Sequence, residues 1–136
     1  MGRILLVDDD GDYCETVQAV FTQLGFEVSY LLSADDALGF AERYQPNLAI
    51  LDLHIGAGLT GDELARLLRT DPATSHIRIV LVSSCPDAEE RALAAGVDAF
   101  LSKPFEMAKL IEIVGSLTKG LDPMATGLGG VQNDVA

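Results

Sequence analysis

The sequence predicts a doubly wound α/β fold, in which five parallel strands form one sheet with helices on both faces. Hydrophobic runs alternate along the chain with stretches in which apolar residues recur at helical spacing. Several runs are continuously apolar and rich in Val, Ile and Leu, as strands buried on both faces of a parallel sheet are. These runs are ILLVDDD (Ile4 to Asp10), LAILD (Leu48 to Asp52), RIVLVSS (Arg78 to Ser84) and DAFLSKP (Asp98 to Pro104).

The first third of the chain is predicted to contain two strand–helix pairs. The first amphipathic helix is predicted after Asp10, which is expected to be a solvated or capping acid at its start. Apolar and aromatic residues recur in it at helical spacing, namely Tyr13, Val17, Val20, Phe21 and Leu24. Gly25 is typical of the residue that ends such a helix. A second strand is predicted from Phe26 to Leu32. Ser33 is a candidate N-cap for a short second helix, which ends before Pro46.

The chain after Asp52 is predicted to contain three further helices and two further strands. A loop from His54 to Gly61 leads into the third helix. Pro86 is expected in the first turn of the fourth helix, and Gly96 is expected to cap its end. The predicted bounds are a helix over 62–70, a strand over 78–84, a helix over 86–95, a strand over 97–101 and a helix over 105–117.

The chain is predicted to form one domain followed by a different kind of segment. Its 136 residues are enough to bury a substantial core. From residue 119 onward the sequence is rich in glycine and has no hydrophobic periodicity. We therefore expect a folded domain over residues 1–118 and a flexible tail, or a cut linker, over residues 119–136.

Charge and hydropathy exclude several classes of partner. The net charge of −12 argues against non-specific binding to nucleic acid or to an anionic membrane, because both require basic patches. No apolar stretch is long enough to span a bilayer, and the N-terminus enters a strand rather than a signal peptide. The two cysteines, Cys14 and Cys85, form neither a metal-binding nor a disulfide pattern. A cytoplasmic location is predicted.

Polar residues at the ends of the predicted strands indicate a reactive pocket. Parallel strands end at one edge of their sheet, and open α/β sheets bind ligands there. The residues expected at this edge are Asp8, Asp9, Asp52, Ser83 and Lys103. Two carboxylates about 4 Å apart repel by about 4 kcal/mol at an effective dielectric constant near 20. A divalent cation is therefore expected among the three carboxylates.

The residue types at this edge also indicate which chemistry to expect. Oxygen ligands favour Mg²⁺, Mn²⁺ or Ca²⁺ over zinc, and few carboxylates with room for water favour Mg²⁺. Lys103 and Ser83 are suited to binding the oxygens of a transferred phosphoryl group. Asp52 can act as the nucleophile. Mg²⁺-dependent phosphoryl transfer onto Asp52 is therefore the predicted reaction.

Over residues 3 to about 118 the sequence resembles the receiver domains of two-component response regulators. The acidic VDDD follows the first strand, and Asp52 stands at the phosphoacceptor position. Ser83 ends the fourth strand where the family has Ser or Thr, and Lys103 with Pro104 matches its Lys-Pro pair. The segments GDELARLLRTDP and RALAAGVDAFLSKPF agree as well. The order and spacing of these motifs make the resemblance specific.

The resemblance implies a flavodoxin-like sheet with strand order 2-1-3-4-5 and a histidine kinase or histidine phosphotransfer protein as phosphoryl donor. It implies that Asp9 and Asp52 bind Mg²⁺ directly and that Asp8 binds it directly or through water. The backbone carbonyl of His54 would be the remaining protein ligand. No enzymatic action on an external substrate is expected, only self-phosphorylation from small donors and self-dephosphorylation.

The resemblance also implies a switch. Ser83 would be drawn toward the phosphoryl group, Lys103 would pair with one of its oxygens, and the bond between Lys103 and Pro104 would be cis. Phe100 would turn inward, unless it is simply a core residue. This would change the surface formed by the fourth helix, fifth strand and last helix. That surface would bind a downstream protein, a missing output domain or a second copy of the chain.

One loop departs from the family pattern, and two alternatives stay open. After Asp52 the loop LHIGAGLTG has Gly56 where a proline is common, Thr60 where an aspartate is common, and one extra residue. The first alternative is a receiver-like interaction module that is never phosphorylated, which this loop favours. The second is a Mg²⁺-dependent phosphatase with an aspartate nucleophile. Such enzymes need a second aspartate where this chain has His54.

Overall fold

The computed structural model of the protein describes residues 2–119, in which five strands and five helices alternate. The strands are β1 (Arg3–Val7), β2 (Glu27–Leu31), β3 (Leu48–Asp52), β4 (Arg78–Ser83) and β5 (Ala99–Ser102). The helices are α1 (Gly11–Gln23), α2 (Ala37–Tyr44), α3 (Gly61–Thr70), α4 (Ala88–Ala95) and α5 (Met107–Leu117). The predicted tail over 119–136 falls, apart from Lys119, outside the described residues and stays a prediction.

All five strands are parallel, and their order in the sheet is β2-β1-β3-β4-β5. The predicted fold class and strand order are therefore confirmed. Asp52 lies opposite Val82, and Ser83 lies opposite Ser102. This register brings the carboxyl ends of the central strands to one level, which is the edge where the sequence predicts the pocket.

Two hydrophobic clusters cover the two faces of the sheet. Side chains alternate between the faces along each strand. One set packs against α2, α3 and α4, and includes Leu5, Val7, Leu51 and Leu81. The other set packs against α1 and α5, and includes Ile4, Leu6, Ile50 and Val82. Burial on both faces explains why the strand sequences are continuously apolar.

Several predicted helix ends are confirmed. Asp10 is the N-cap of α1, where its carboxylate accepts a hydrogen bond from the backbone N–H of Tyr13 at 3.2 Å. Gly96 caps α4 in the left-handed conformation, with φ of 75°. Gly25 follows α1 with φ of 101°, which a residue with a side chain rarely adopts.

The predicted starts of α2, α4 and α5 are too early by two to four residues. Ser33 does not cap α2, because its hydroxyl accepts a hydrogen bond from Asp35 N–H in a separate turn. Pro86 lies in a turn closed by the hydrogen bond from Ala88 N–H to Cys85 C=O, so α4 begins only at Ala88. In α2 and α4, therefore, hydrogen bonds within a preceding turn replace the helical conformation of the first predicted residues.

Among the described residues, none of the helices combines the length and the apolar character that crossing a membrane requires.

Candidate functional site

Three acidic side chains meet at the carboxyl edge of the sheet. Asp8 follows β1, Asp9 comes next, and Asp52 ends the neighbouring strand β3. One carboxylate oxygen from each lies within 4.8 Å of the other two. Asp8 is only 1% exposed and Asp52 is buried, whereas Asp9 is exposed. The predicted acidic cluster is therefore present, with an open side at Asp9.

The environment of Asp8 fits a cation. Its Oδ1 accepts a hydrogen bond from Asp10 N–H at 3.0 Å, but its buried Oδ2 has no hydrogen-bond partner among residues 2–119. Burial raises the pKa of Asp8, and the charge of Asp52 raises it further. A buried carboxylate oxygen without a donor is costly, and a metal ion would satisfy it. Oxygen-only donors suit Mg²⁺ or Mn²⁺.

Lys103 is the cation that the structure itself brings to this cluster. Its Nζ lies 3.1 Å from Asp52 Oδ2 and 3.7 Å from Asp8 Oδ2. The backbone N–H of Lys103 donates to Ser83 C=O at 2.9 Å, which fixes the chain after β5. Burial alone would lower the pKa of Lys103, but the two carboxylates outweigh this effect and raise it. The ammonium therefore stays charged beside Asp52.

The bond between Lys103 and Pro104 is cis, as the resemblance implies.

Tyr13, on the first turn of α1, contacts this lysine. Lys103 Nζ lies over the Tyr13 ring, 5.6 Å from its centroid, which is within the range of a cation–π interaction. The phenol oxygen is buried and has no hydrogen-bond partner within the described part of the chain. Burial, followed by the charge of Asp8, raises the pKa of Tyr13, so the phenol stays neutral.

A cavity of about 480 Å³ opens beside the lysine. Its lining residues come from the ends of β1, β4 and β5 and from the first turns of α1 and α5. They are Asp8, Asp10, Tyr13, Ser84, Lys103, Pro104, Phe105 and Met107. The wall is mainly apolar, and Asp8 is the member of the carboxylate cluster that lines it. The sequence placed Tyr13 only on the buried face of the first helix.

Ser83 ends β4 and Phe100 lies on β5, and their roles in a switch stay predictions. Ser83 is buried at the end of β4, and its Oγ accepts a hydrogen bond from Cys85 N–H at 3.0 Å. The hydroxyl hydrogen therefore stays available for an acceptor in the pocket. Phe100 is half-buried on β5 and packs against the cluster that α2, α3 and α4 form with the sheet.

The loop between β3 and α3 is held close to Asp52. A Cβ on Gly61 would lie 2.1 Å from the backbone oxygen of Asp52, so only glycine fits there. Gly56 has φ of 61°, and a Cβ on it would lie 3.7 Å from Asp9 Oδ2. Thr60, at the position where the family often has aspartate, is the N-cap of α3. Its backbone N–H donates to Glu63 Oε1 at 2.9 Å.

His54 links the two loops that flank Asp52. Its side chain is exposed, and its Nε2 lies 2.9 Å from Cys85 Sγ. The role of the His54 backbone carbonyl as a metal ligand stays a prediction. This contact was not predicted from the sequence, because His54 and Cys85 are 31 residues apart and no motif joins them.

An ion pair between the buried Asp62 and the half-buried Arg91 joins α3 to α4. Both carboxylate oxygens of Asp62 accept hydrogen bonds from Arg91, each at 3.0 Å, and the Thr60 hydroxyl donates to Asp62 Oδ1 at 2.6 Å. The Asp62 side chain is 5% exposed. An acidic residue in the first turn of a helix ordinarily indicates only a favourable interaction with the helix dipole, so this pair was not predictable from the sequence.

Comparison with known proteins identifies the family. The sequence model of the response regulator receiver domain matches residues 4–115. This chain belongs to the response regulator receiver domains. The match covers most of this chain. Membership of the family makes it a receiver domain of two-component signalling.

The curated relatives are longer proteins. The response regulator PleD of Caulobacter vibrioides is 34% identical over 119 residues, which are 86% of this chain and 26% of PleD. The phosphate regulon transcriptional regulatory protein PhoB of Klebsiella pneumoniae is 29% identical over 125 residues, which are 90% of this chain and 54% of PhoB. The chain thus spans between about a quarter and about half of these relatives.

Solved receiver structures share the fold. A CheY-like response regulator receiver domain protein of Methanospirillum hungatei JF-1 is 26% identical with a TM-score of 0.78, and the match covers 88% of this chain and 95% of that one. The chemotaxis response regulator CheY4 of Vibrio cholerae is 23% identical with a TM-score of 0.78, and the match covers 86% and 98%. At that identity the likeness to CheY4 concerns the fold alone.

Proposed function

We propose that this receiver domain is a Mg²⁺-dependent phosphoacceptor that a histidine kinase or a histidine phosphotransfer protein phosphorylates on Asp52. The observation that carries the proposal is the arrangement at the carboxyl edge. Asp8, Asp9 and Asp52 place carboxylate oxygens within 4.8 Å of one another, and Lys103 Nζ lies 3.1 Å from Asp52. This arrangement supplies oxygen ligands for a cation and an ammonium beside the same nucleophile.

Asp8, Asp9, Asp52 and the backbone carbonyl of His54 would hold the ion, with Mn²⁺ as a possible substitute for Mg²⁺. When bound, the ion neutralises the carboxylates and stabilises negative charge on the phosphoryl oxygens. The buried Oδ2 of Asp8, which lacks a hydrogen-bond partner among the described residues, supports this ligand set.

The chain's own residues account for the transfer step. A carboxylate oxygen of Asp52 attacks phosphorus, the P–O bond forms, and the P–N bond to the donor imidazole breaks with its electron pair returning to nitrogen. Lys103 leaves Asp52 and pairs with a phosphoryl oxygen. The Ser83 hydroxyl donates to another, since its hydrogen is not used in the contact with Cys85 N–H. Both contacts compensate charge that arrives with the phosphoryl group.

We propose that phosphorylation changes the surface formed by α4, β5 and α5 through Ser83 and Phe100. A downstream protein, an output domain outside this sequence, or a second copy of the chain would bind that surface. The domain would act in the cytoplasm and on no external substrate. Its only reactions would be self-phosphorylation from small donors and self-dephosphorylation.

A second candidate is an interaction module that is never phosphorylated. The loop that carries Gly56 supports it, because this loop passes beside Asp9 on the open side of the cluster. A failure of Mg²⁺ to bind in the millimolar range would favour this candidate. The phosphatase alternative has no such support, because His54 replaces the second aspartate that it needs.

The test is the intact mass after incubation with Mg²⁺ and acetyl phosphate. The wild type should gain one phosphoryl group, and the gain should disappear in Asp52→Asn and on chelation of the metal. Asp12→Asn, which alters an exposed acid on α1, should gain the group as the wild type does. Equal incorporation in wild type and Asp52→Asn would refute the assignment of Asp52.

A further inference from the structure

Lys103 has more conformational freedom than its proposed role allows. Its side chain is 32% exposed and lies along the wall of the cavity that Pro104, Phe105 and Met107 also line. A lysine stem has four rotatable bonds, and its ammonium is strongly hydrated. The cavity therefore offers Lys103 solvated alternatives to the position beside Asp52, and something must favour the inward position.

Two kinds of contact hold the ammonium inward. The carboxylates of Asp52 and Asp8 attract it at 3.1 and 3.7 Å, but they are also the proposed ligands of the cation. Their hold on Lys103 weakens when a cation shares their charge. The ring of Tyr13 is neutral and takes no part in that ligand set, so its attraction for the ammonium is independent of the metal.

The position of the Tyr13 ring is itself fixed by the end of β1. Asp10 caps α1 by accepting from Tyr13 N–H at 3.2 Å. The next residue, Cys14, is fully buried, and its Sγ lies 3.4 Å from Asp8 C=O. The first turn of α1 is thereby tied to the strand end that carries the acidic cluster. A ring held in this way can restrict a flexible lysine with little entropy cost of its own.

We propose that Tyr13 is a positioning residue that holds Lys103 at the phosphoacceptor before the phosphoryl group arrives. This role rests on the proposed function of Asp52. Tyr13 acts through Lys103 and does not touch the reacting atoms. The ring face carries the effect, so phenylalanine can replace tyrosine, whereas an aliphatic residue cannot.

The first arm of the test measures geometry in the metal-free protein by NMR. The ε-methylene protons of Lys103 should show an upfield ring-current shift in the wild type. The shift should persist in Tyr13→Phe and be lost in Tyr13→Leu. Tyr30→Leu is the matched control, because Tyr30 is also half-buried against the cluster of α1 and α5 but lies on β2. A Lys103 shift that is unchanged in Tyr13→Leu would overturn the proposal.

The second arm measures the initial rate of phosphorylation by acetyl phosphate at saturating Mg²⁺. A cation–π contact contributes about 0.5–1 kcal/mol, so Tyr13→Leu should slow the reaction by about two- to fivefold. Tyr13→Phe and Tyr30→Leu should react at close to the wild-type rate. In a Lys103→Ala background, Tyr13→Leu should have no further effect. An equal loss in that background would show that Tyr13 acts on packing alone and would overturn the proposal.

The two arms separate this proposal from the proposed function. A wild type that gains a phosphoryl group but shows no ring-current shift refutes the role of Tyr13 and leaves Asp52 assigned. A wild type that gains no phosphoryl group from either acetyl phosphate or a phosphorylated histidine phosphotransfer domain refutes the proposed function. The role of Tyr13 falls with it.

Discussion

The two edges of the sheet carry acidic residues in opposite electrostatic situations. At the amino edge, Asp98 precedes β5 and accepts hydrogen bonds from the guanidinium groups of Arg69 and Arg78 and from the backbone N–H of Ile79. At the carboxyl edge, three carboxylates lie together, and the ammonium of Lys103 pairs with two of them, Asp8 and Asp52. The amino edge thus has two guanidinium groups for one carboxylate, whereas the carboxyl edge has one ammonium for three carboxylates.

This difference separates a structural acid from a functional one. The negative charge of Asp98 is balanced by the guanidinium groups of Arg69 and Arg78, so it stabilises the fold and needs no ligand. The carboxyl edge keeps a surplus of negative charge that repels itself and leaves a buried oxygen of Asp8 without a donor. Such an arrangement lowers stability unless a cation binds, and it is retained where function requires it.

The same substitution, Asp to Asn, should have opposite effects on stability at the two edges. Asp98→Asn should lower the free energy of unfolding by about 2–3 kcal/mol, because it weakens three hydrogen bonds at once, those from Arg69, Arg78 and the backbone N–H of Ile79. Asp8→Asn in metal-free buffer should stay within about 1 kcal/mol of the wild type, on the stabilising side, because it relieves repulsion while losing the attraction of Lys103. Urea unfolding of both variants measures the contrast. Equal losses of stability in the two variants would show that the two edges do not differ in charge compensation.

The next effect is stabilisation by the metal, which should occur at only one edge. At a Mg²⁺ concentration of about 100 times Kd, a single site stabilises the folded state by about 2.7 kcal/mol. Asp9→Asn should lose most of this stabilisation, since Asp9 lies on the open side of the cluster. Asp98→Asn should keep it in full despite its lower starting stability. Urea unfolding with and without Mg²⁺ provides the measurement.

Asp62 is a second acid whose charge is compensated, and its removal should have a smaller effect on stability. Burial alone would raise its pKa, but the hydrogen bonds from Arg91 and Thr60 outweigh burial and lower it. A carboxyl with a lowered folded-state pKa contributes its stability above the unfolded-state pKa, which is about 3.9. That contribution is lost as the pH falls through the folded-state pKa.

Asp62→Asn should therefore cost about 1–2 kcal/mol at neutral pH. The difference from wild type should shrink as the pH falls below about 4. Asp36→Asn is the control, because Asp36 precedes α2 without a side-chain capping bond. It should change stability by less than about 0.5 kcal/mol at any pH. A difference for Asp62→Asn that grows on acidification would contradict the sign of this argument.

Much of the site was predictable from the sequence because its parts follow from local rules. Continuous apolar runs identified the strands, and parallel strands place their carboxyl ends at one edge. Asp8, Asp9 and Asp52 therefore had to converge, together with Lys103. Capping rules predicted Asp10 and Gly96, because those interactions lie within a few residues of each other. The starts of α2 and α4 were missed where turn hydrogen bonds at Ser33 and Cys85 took precedence.

Only the tertiary structure decided the contacts between side chains that are distant in sequence. The ring of Tyr13 over Lys103, the ion pair of Asp62 with Arg91, and the contact of His54 with Cys85 each join elements whose spacing depends on packing. Hydrophobic periodicity assigns a residue to a face of its helix, but not to the polar group that its tip will meet. Those partners depend on where each helix lies over the sheet, and close packing of the two hydrophobic clusters determines these positions.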